Sequence, residues 1–286
     1  APPGERVAWA GRVKFSHAEI KGRWQAEAEI PLAVLSRPKP TTTVFYLLDG
    51  QGKPCALVNY DWPNARLRGR KFYRHHGQVD EREYKREDRD GQNRTVRGAI
   101  KPGAEFVCTV DFTNLTPLEL GALLYALELE EGMVHRLGYA KPLGFGSIKL
   151  SVERLEMICW ADRLASPDNG AGRQDFGREK IAEFKQRFLE EMARQYGEAW
   201  ADVLADLKAL LGSPPALPVH YPRPRRRFDP RHPQFEWFVG NKKRLERFTR
   251  NKAGAADSDQ KSPPPVTLPL ARQDAEGLPL IDKKGD

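Results

Sequence analysis

Short stretches near the start of the chain alternate apolar and polar residues with a period of two. Across residues 7–30 (VAWAGRVKFSHAEIKGRWQAEAEI), Val13 and Phe15 fall on one side and Arg12, Lys14 and Ser16 on the other, which predicts strand, turn at Lys21 and Gly22, then strand. Pro38 and Pro40 lead into the apolar run Val44, Phe45, Tyr46, Leu47 and Leu48, closed by a turn at Asp49 and Gly50, which predicts a further strand. In EFVCTVDF, residues 105–112, Phe106, Cys108, Val110 and Phe112 share one face, the signature of a half-buried strand.

The period then changes. Thr116 is placed to cap, Pro117 suits the first helical position and Glu119 completes a capping box. Leu120, Leu123, Leu124 and Leu127 recur at helical spacing, and Gly132 is the expected stop. After the loop HRLGYAKPLGFG, the alternation of Ile148, Leu150 and Val152 predicts a strand through SIKLSVERLEMI. Phe184, Phe188, Met192, Tyr196, Trp200 and Leu204 recur every four residues along a helical stretch over 177–211, and Gly197 is a candidate break. Such a stripe is a packing face before it is anything else.

Strand, helix, glycine-rich loop and strand, preceded by further strands, predict an α+β fold of the ferredoxin-like kind, with helices on one face of an antiparallel sheet. The expected organisation is a domain over residues 1–160 with a long polar insertion at about 60–104, a helical and basic extension over 161–250, and a largely disordered tail over 251–286. No apolar run reaches the ~20 residues of a membrane span, and the first residues carry no secretory signal, so a soluble, cytoplasmic protein is expected.

Charge sharpens this picture. Of 286 residues, 47 are Lys or Arg and 39 Asp or Glu, a net charge of +8. The excess sits in two stretches: residues 66–101 hold twelve basic and six acidic side chains, residues 223–250 ten basic and three acidic. Basic segments on an otherwise mildly acidic chain suit a polyanion-binding face; solvated surface loops are the plainer reading. Cys55, Cys108 and Cys159 form no CxxC pair, so neither a disulfide framework nor a cysteine metal site is expected.

The loop from His135 to Ser147 carries the most chemistry. Gly138, Gly144 and Gly146 allow a backbone to approach a bulky anion, and Arg136, Lys141 and Lys149 surround them with no acidic residue. The glycines follow a helix and lead into a strand, the reverse of a dinucleotide fingerprint, and no Walker sequence is present. A tight turn remains the plainer alternative.

HRLGYAKPLGFGSIKL, preceded by GRVKFSHAEI, IKPGAEFVCTVDF and FTNLTPLELGALLYAL, resembles the RAMP superfamily of CRISPR-associated proteins, in particular those of type III effector complexes. The resemblance covers roughly residues 7–155, and HYPRP and FEWFVGNKKRLERF look like the carboxyl-terminal extension of one RAMP subgroup. It implies a ferredoxin-like domain whose glycine-rich loop contributes to a guide-RNA surface, with guide RNA, target RNA and other effector subunits as partners. The family's first strand and first helix motif are not found ahead of GRVKFSHAEI. The expectation is therefore a carboxyl-terminal part of a larger protein, the front being supplied by the same protein or by another chain, and the family's target-cleaving aspartate has no counterpart here.

On that reading the basic segments acquire roles. Arg68, Arg70, Lys71 and Arg74 would contact phosphate, with Trp62, Phe72 and Tyr73 stacking on bases. His75 and His76 are candidate general bases for attack by an RNA 2′-hydroxyl, making a metal-independent endoribonuclease that leaves a 2′,3′-cyclic phosphate the rival reading. His135 is a candidate phosphate ligand. Arg225, Arg226 and Arg227, followed by Phe228, Phe235, Trp237 and Phe238, interleave cations with aromatics, and Lys242, Lys243, Arg244 and Arg247 are candidate further phosphate contacts. No cofactor is expected, and any divalent metal needed for target cleavage would sit elsewhere in the assembly. A third reading is an interaction module docking partners through residues 177–211.

Overall fold

The computed structural model describes residues 10–35, 39–53, 58–77, 81, 85, 94–166, 168, 172–213, 235–252, 263–273 and 278–286. In chain order its elements are β1 (Val13–Phe15), β2 (Glu19–Lys21), β3 (Ile30–Leu32), β4 (Leu47–Leu48), β5 (Arg66–Leu67), β6 (Arg94–Val96), β7 (Glu105–Val107), β8 (Val110–Phe112), α1 (Pro117–Leu127), β9 (His135–Arg136), β10 (Ser147–Ile148), β11 (Leu155–Ile158), α2 (Trp160–Ala165), β12 (Arg173–Phe176), α3 (Arg178–Tyr196), α4 (Glu198–Leu211) and α5 (Phe235–Lys252). The chain is mixed α/β, its strands joined two by two in antiparallel sheets. This differs from the single sheet expected from the element order: among the described residues no sheet has more than two strands. No helix among them is long and apolar enough to cross a membrane.

Two compact units divide the chain. The first gathers the described residues of 1–28, 98–131 and 149–203. Here β1 pairs with β8, Val13 opposite Phe112, and β2 with β7, Ile20 opposite Phe106. Gly22 does take a left-handed φ of 76°, but the strands around it do not fold back on each other; their partners lie in the segment up to Phe112. Thr116 Oγ1 accepts from the Glu119 N–H (3.3 Å) and the Glu119 carboxylate accepts from the Thr116 N–H (2.8 Å), so the capping box opens α1 as predicted. The Arg12 guanidinium ties the strand to this cap through Glu119 and the Asn114 carbonyl.

Helix α1 ends at Leu127, before Gly132, because Glu128 turns into extended backbone and spends its carboxylate on Arg178 (2.7 Å) and the Val152 N–H (2.8 Å). Leu120 and Leu124 are buried with Leu155, Ile181 and Phe184 between α1 and α3. Helices α3 and α4 meet at Gly197, and Phe188 packs on both Tyr125 and Trp200 at centroid distances of 5.9 and 5.8 Å, so these members of the stripe are packing residues. The expected strand after the glycine loop is split into β10 and β11, with residues 149–154 between them in neither.

The second unit gathers the described residues of 29–97, 132–148 and 204–286. It joins segments that the expected boundaries at 160 and 250 had separated. Strand β3 pairs with β6, β4 with β5 and β9 with β10. The described flanks of the insertion thus include strands that both pair with the chain preceding it, β5 with β4 and β6 with β3, while most of its polar middle lies outside the described residues. Val44, Phe45, Trp237 and Ile281 form a core with Val266, Leu268 and Leu278 against it. Residues 263–273 and 278–286, expected to be disordered, are packed instead: Trp237 Nε1 donates to the Pro279 carbonyl (2.8 Å), and Asn241 exchanges two hydrogen bonds with Val266 (2.7 and 3.0 Å). Apolar residues spaced among prolines supply enough buried surface to offset the ordering of that segment.

Candidate nucleic-acid interface

The glycine-rich loop is held by its own backbone before any side chain acts. The Leu137 N–H donates to the Gly146 carbonyl (2.8 Å), and a Cβ on Gly146 would come within 1.8 Å of the Leu137 carbonyl oxygen, at a φ of 83° that favours glycine. Ala140, also left-handed (φ 56°), is buried with Leu32, Ala33 and Leu143. A left-handed alanine persists only where packing holds it. That packing includes Tyr73, so the segment before His75 lies against the loop. Leu137 and Tyr139 remain exposed on the loop.

His75 makes the second attachment. It is 4% exposed, with Nε2 2.8 Å from the Val134 carbonyl and Nδ1 2.8 Å from Ser147 Oγ. A carbonyl only accepts, so Nε2 carries the proton and donates. Burial and the neighbouring Arg136 and His135 charges push the pKa of His75 below its ordinary 6.5, the Val134 bond opposing them, which favours the neutral ring. Nδ1 is then an acceptor, and Ser147 donates to it.

Arg136 completes the cluster. Nη1 donates to Ser147 Oγ (2.9 Å) and Nη2 to the Lys141 carbonyl (2.6 Å), while Nε is buried with no hydrogen-bond partner. The guanidinium is half-buried, and among the described residues no carboxylate pairs with it. Burial lowers its pKa without approaching neutrality at physiological pH. A fixed guanidinium on a glycine-rich loop, with no carboxylate partner among the described residues, is suited to receive an oxyanion.

The other expected site residues divide by exposure. Arg70 and Lys71 are exposed, and Lys71 Nζ lies 5.0 Å from the Tyr73 ring centroid. Tyr60, Trp62 and Phe72 are exposed in the same unit, so aromatic and cationic side chains are both available along residues 60–72. Arg68 is half-buried over the Val44 carbonyl. Gly138 is exposed, and Lys141, Gly144, Gly146, His76 and His135 are partly exposed, so the loop presents backbone to solvent. Lys149 is exposed but belongs to the first unit.

Three expectations need correction. Arg74 is buried (9% exposed), in long contact with the Ala271 carbonyl, and cannot meet a phosphate without unpacking. Trp237 is fully buried in the core and stacks on no base. His75, with both ring nitrogens engaged and almost no exposure, is a strut between two segments rather than a base open to a ribose hydroxyl. Arg225, Arg226, Arg227 and Phe228 lie outside the described residues. Arg244 and Arg247 hold the end of the chain, donating to the Gly285 (2.7 Å) and Lys284 (2.6 Å) carbonyls, while Lys242 and Lys243 are exposed. Ser147 is a site residue that the glycine and cation pattern does not single out, although its place directly after the last glycine marks it as the first side chain leaving the loop. Among the described residues no cluster of three or more His, Cys, Asp or Glu is placed to hold a metal.

No protein-family model and no curated protein sequence matches the chain.

Proposed function

We propose that the chain is an RNA-binding RAMP protein of a type III-like CRISPR effector, working in a cytoplasmic ribonucleoprotein. Its glycine-rich loop and the basic, aromatic segment at 60–72 would grip guide RNA, while base pairing within the assembly selects the target RNA to be cleaved. The observation that carries this reading is the Arg136 guanidinium, fixed by Ser147 and the Lys141 carbonyl with no carboxylate partner among the described residues. Exposed Trp62 and Phe72 beside Arg70 and Lys71 support it, since single-stranded RNA is held by stacking together with phosphate contacts. The ferredoxin-like RAMP domain belongs to the same proposal and rests on the sequence resemblance. Cleavage by His75 is the weaker reading, because its ring has no free nitrogen.

The test is to purify the chain with its neighbouring genes, sequence any RNA that accompanies it, and titrate single-stranded RNA at several salt concentrations. Short RNAs of uniform 5′ sequence and an affinity that falls steeply with salt are expected. No bound RNA and no salt-dependent affinity would overturn the proposal in favour of an interaction module.

A further inference from the structure

Ser147 has a fixed hydrogen-bond polarity. A hydroxyl offers one proton and two lone pairs. The proton is committed to His75 Nδ1, since His75 Nε2 must donate to the Val134 carbonyl, and one lone pair is committed to Arg136 Nη1. Ser147 is nevertheless exposed, and the one hydrogen-bonding site its hydroxyl has left is an acceptor.

A phosphate oxygen cannot use that site, because it too only accepts. A ribose 2′-hydroxyl can, by donating. Beside it, Arg136 keeps N–H groups on its terminal nitrogens beyond those given to Ser147 and Lys141, and these donors suit the phosphate that flanks the same sugar. An acceptor of fixed polarity next to a phosphate-seeking guanidinium matches the local pattern of an RNA strand and not that of DNA.

We infer that Ser147 is a specificity residue that reads a 2′-hydroxyl, accepting its proton while Arg136 holds the neighbouring phosphate. This rests on the RNA-binding reading and adds to it the group by which the site tells RNA from DNA. His75 is the positioning residue: it keeps the Ser147 proton turned away from the ligand.

The experiment compares oligouridylate with its 2′-fluoro counterpart, which keeps a ribose-like sugar but cannot donate, by fluorescence anisotropy on the full chain. The wild-type protein is expected to bind the ribo-oligonucleotide about 5-fold more tightly, the worth of one hydrogen bond. Ser147→Ala should bind both equally, with an unchanged salt dependence, and Ser147→Thr should restore the preference. Equal binding of the two oligonucleotides by wild-type protein overturns the inference whatever the variants do. So does a preference that survives in Ser147→Ala. Failure of wild-type protein to bind either oligonucleotide at low salt removes the RNA reading itself, and this inference with it, an outcome distinct from binding without discrimination.

Discussion

Gly121 faces the Phe184 carbonyl so closely that a Cβ on the glycine would lie 2.2 Å from that oxygen and 3.0 Å from the Phe188 Cβ. Helices α1 and α3 therefore meet backbone to backbone at this point, and the glycine is what lets them. Gly121→Ala should destabilise the first unit by about 1–3 kcal/mol, since a carbonyl of the helix backbone cannot swing away as a side-chain end would. Urea denaturation of the variant against the wild type measures this; an unchanged midpoint would show that the helices separate freely.

Glu128 joins the end of α1 to α3 through Arg178 and Lys185 and to the backbone at Val152. The Arg178 hydrogen bonds, with the Val152 N–H and the Lys185 charge, hold its carboxyl at about 2 against an ordinary 4.5. A depressed folded pKa contributes stability that is complete above about 4.5 and is lost as pH falls toward 2. Glu128→Gln should cost about 1–3 kcal/mol at neutral pH and flatten the acid limb of a stability–pH curve.

His75→Phe keeps a ring in the buried space but leaves Ser147 and the Val134 carbonyl without their partner. The expected cost is about 1–3 kcal/mol, with faster amide exchange through residues 134–147. Because the folded pKa of His75 lies below 6.5, its contribution is complete above that value and fades as pH falls beneath it. The Phe variant should lose that part of the pH dependence, which a general loosening of the fold would not remove.

Arg136→Gln removes a charge without removing the side chain. RNA affinity should fall, and the slope of log affinity against log salt should shrink by about 1 if Arg136 neutralises one phosphate. Lys53→Gln, exposed and outside both basic stretches, serves as the surface comparison.

Trp237→Ala and Trp62→Ala separate a core aromatic from a stacking one. Burial in the second core predicts a stability loss of about 3–5 kcal/mol for Trp237→Ala. Exposed Trp62 predicts little loss of stability and about 1–3 kcal/mol in single-stranded RNA affinity.

Local signals were legible where one short segment suffices to decide an outcome. The capping box at Thr116 and Glu119 and the break at Gly197 each depend on neighbours within a turn or two, and both are present in the structure. The single half-buried strand expected over 105–112 is instead split into β7 and β8, which pair with different strands, and Phe106 and Cys108 on its expected inner face are exposed. Pairing was not legible. Alternation says that residues 13–21 form strands but not that Val13 meets Phe112, and a polar loop composition does not reveal that Arg94–Val96 pairs with Ile30–Leu32.

The amino-acid sequence by itself determined where α1 starts and where α3 gives way to α4, where cations concentrate and which loop the glycines free. The tertiary structure decided which of those cations and aromatics remain available. Arg74 and Trp237 look like ligand contacts in a basic, aromatic stretch, yet one is buried beside Ala271 and the other in a core closed by the end of the chain. His75 looks like a base, yet its two nitrogens are taken by Val134 and Ser147. The reason is the same in each case: burial and hydrogen-bond partnership come from residues distant along the chain, and no local pattern encodes them.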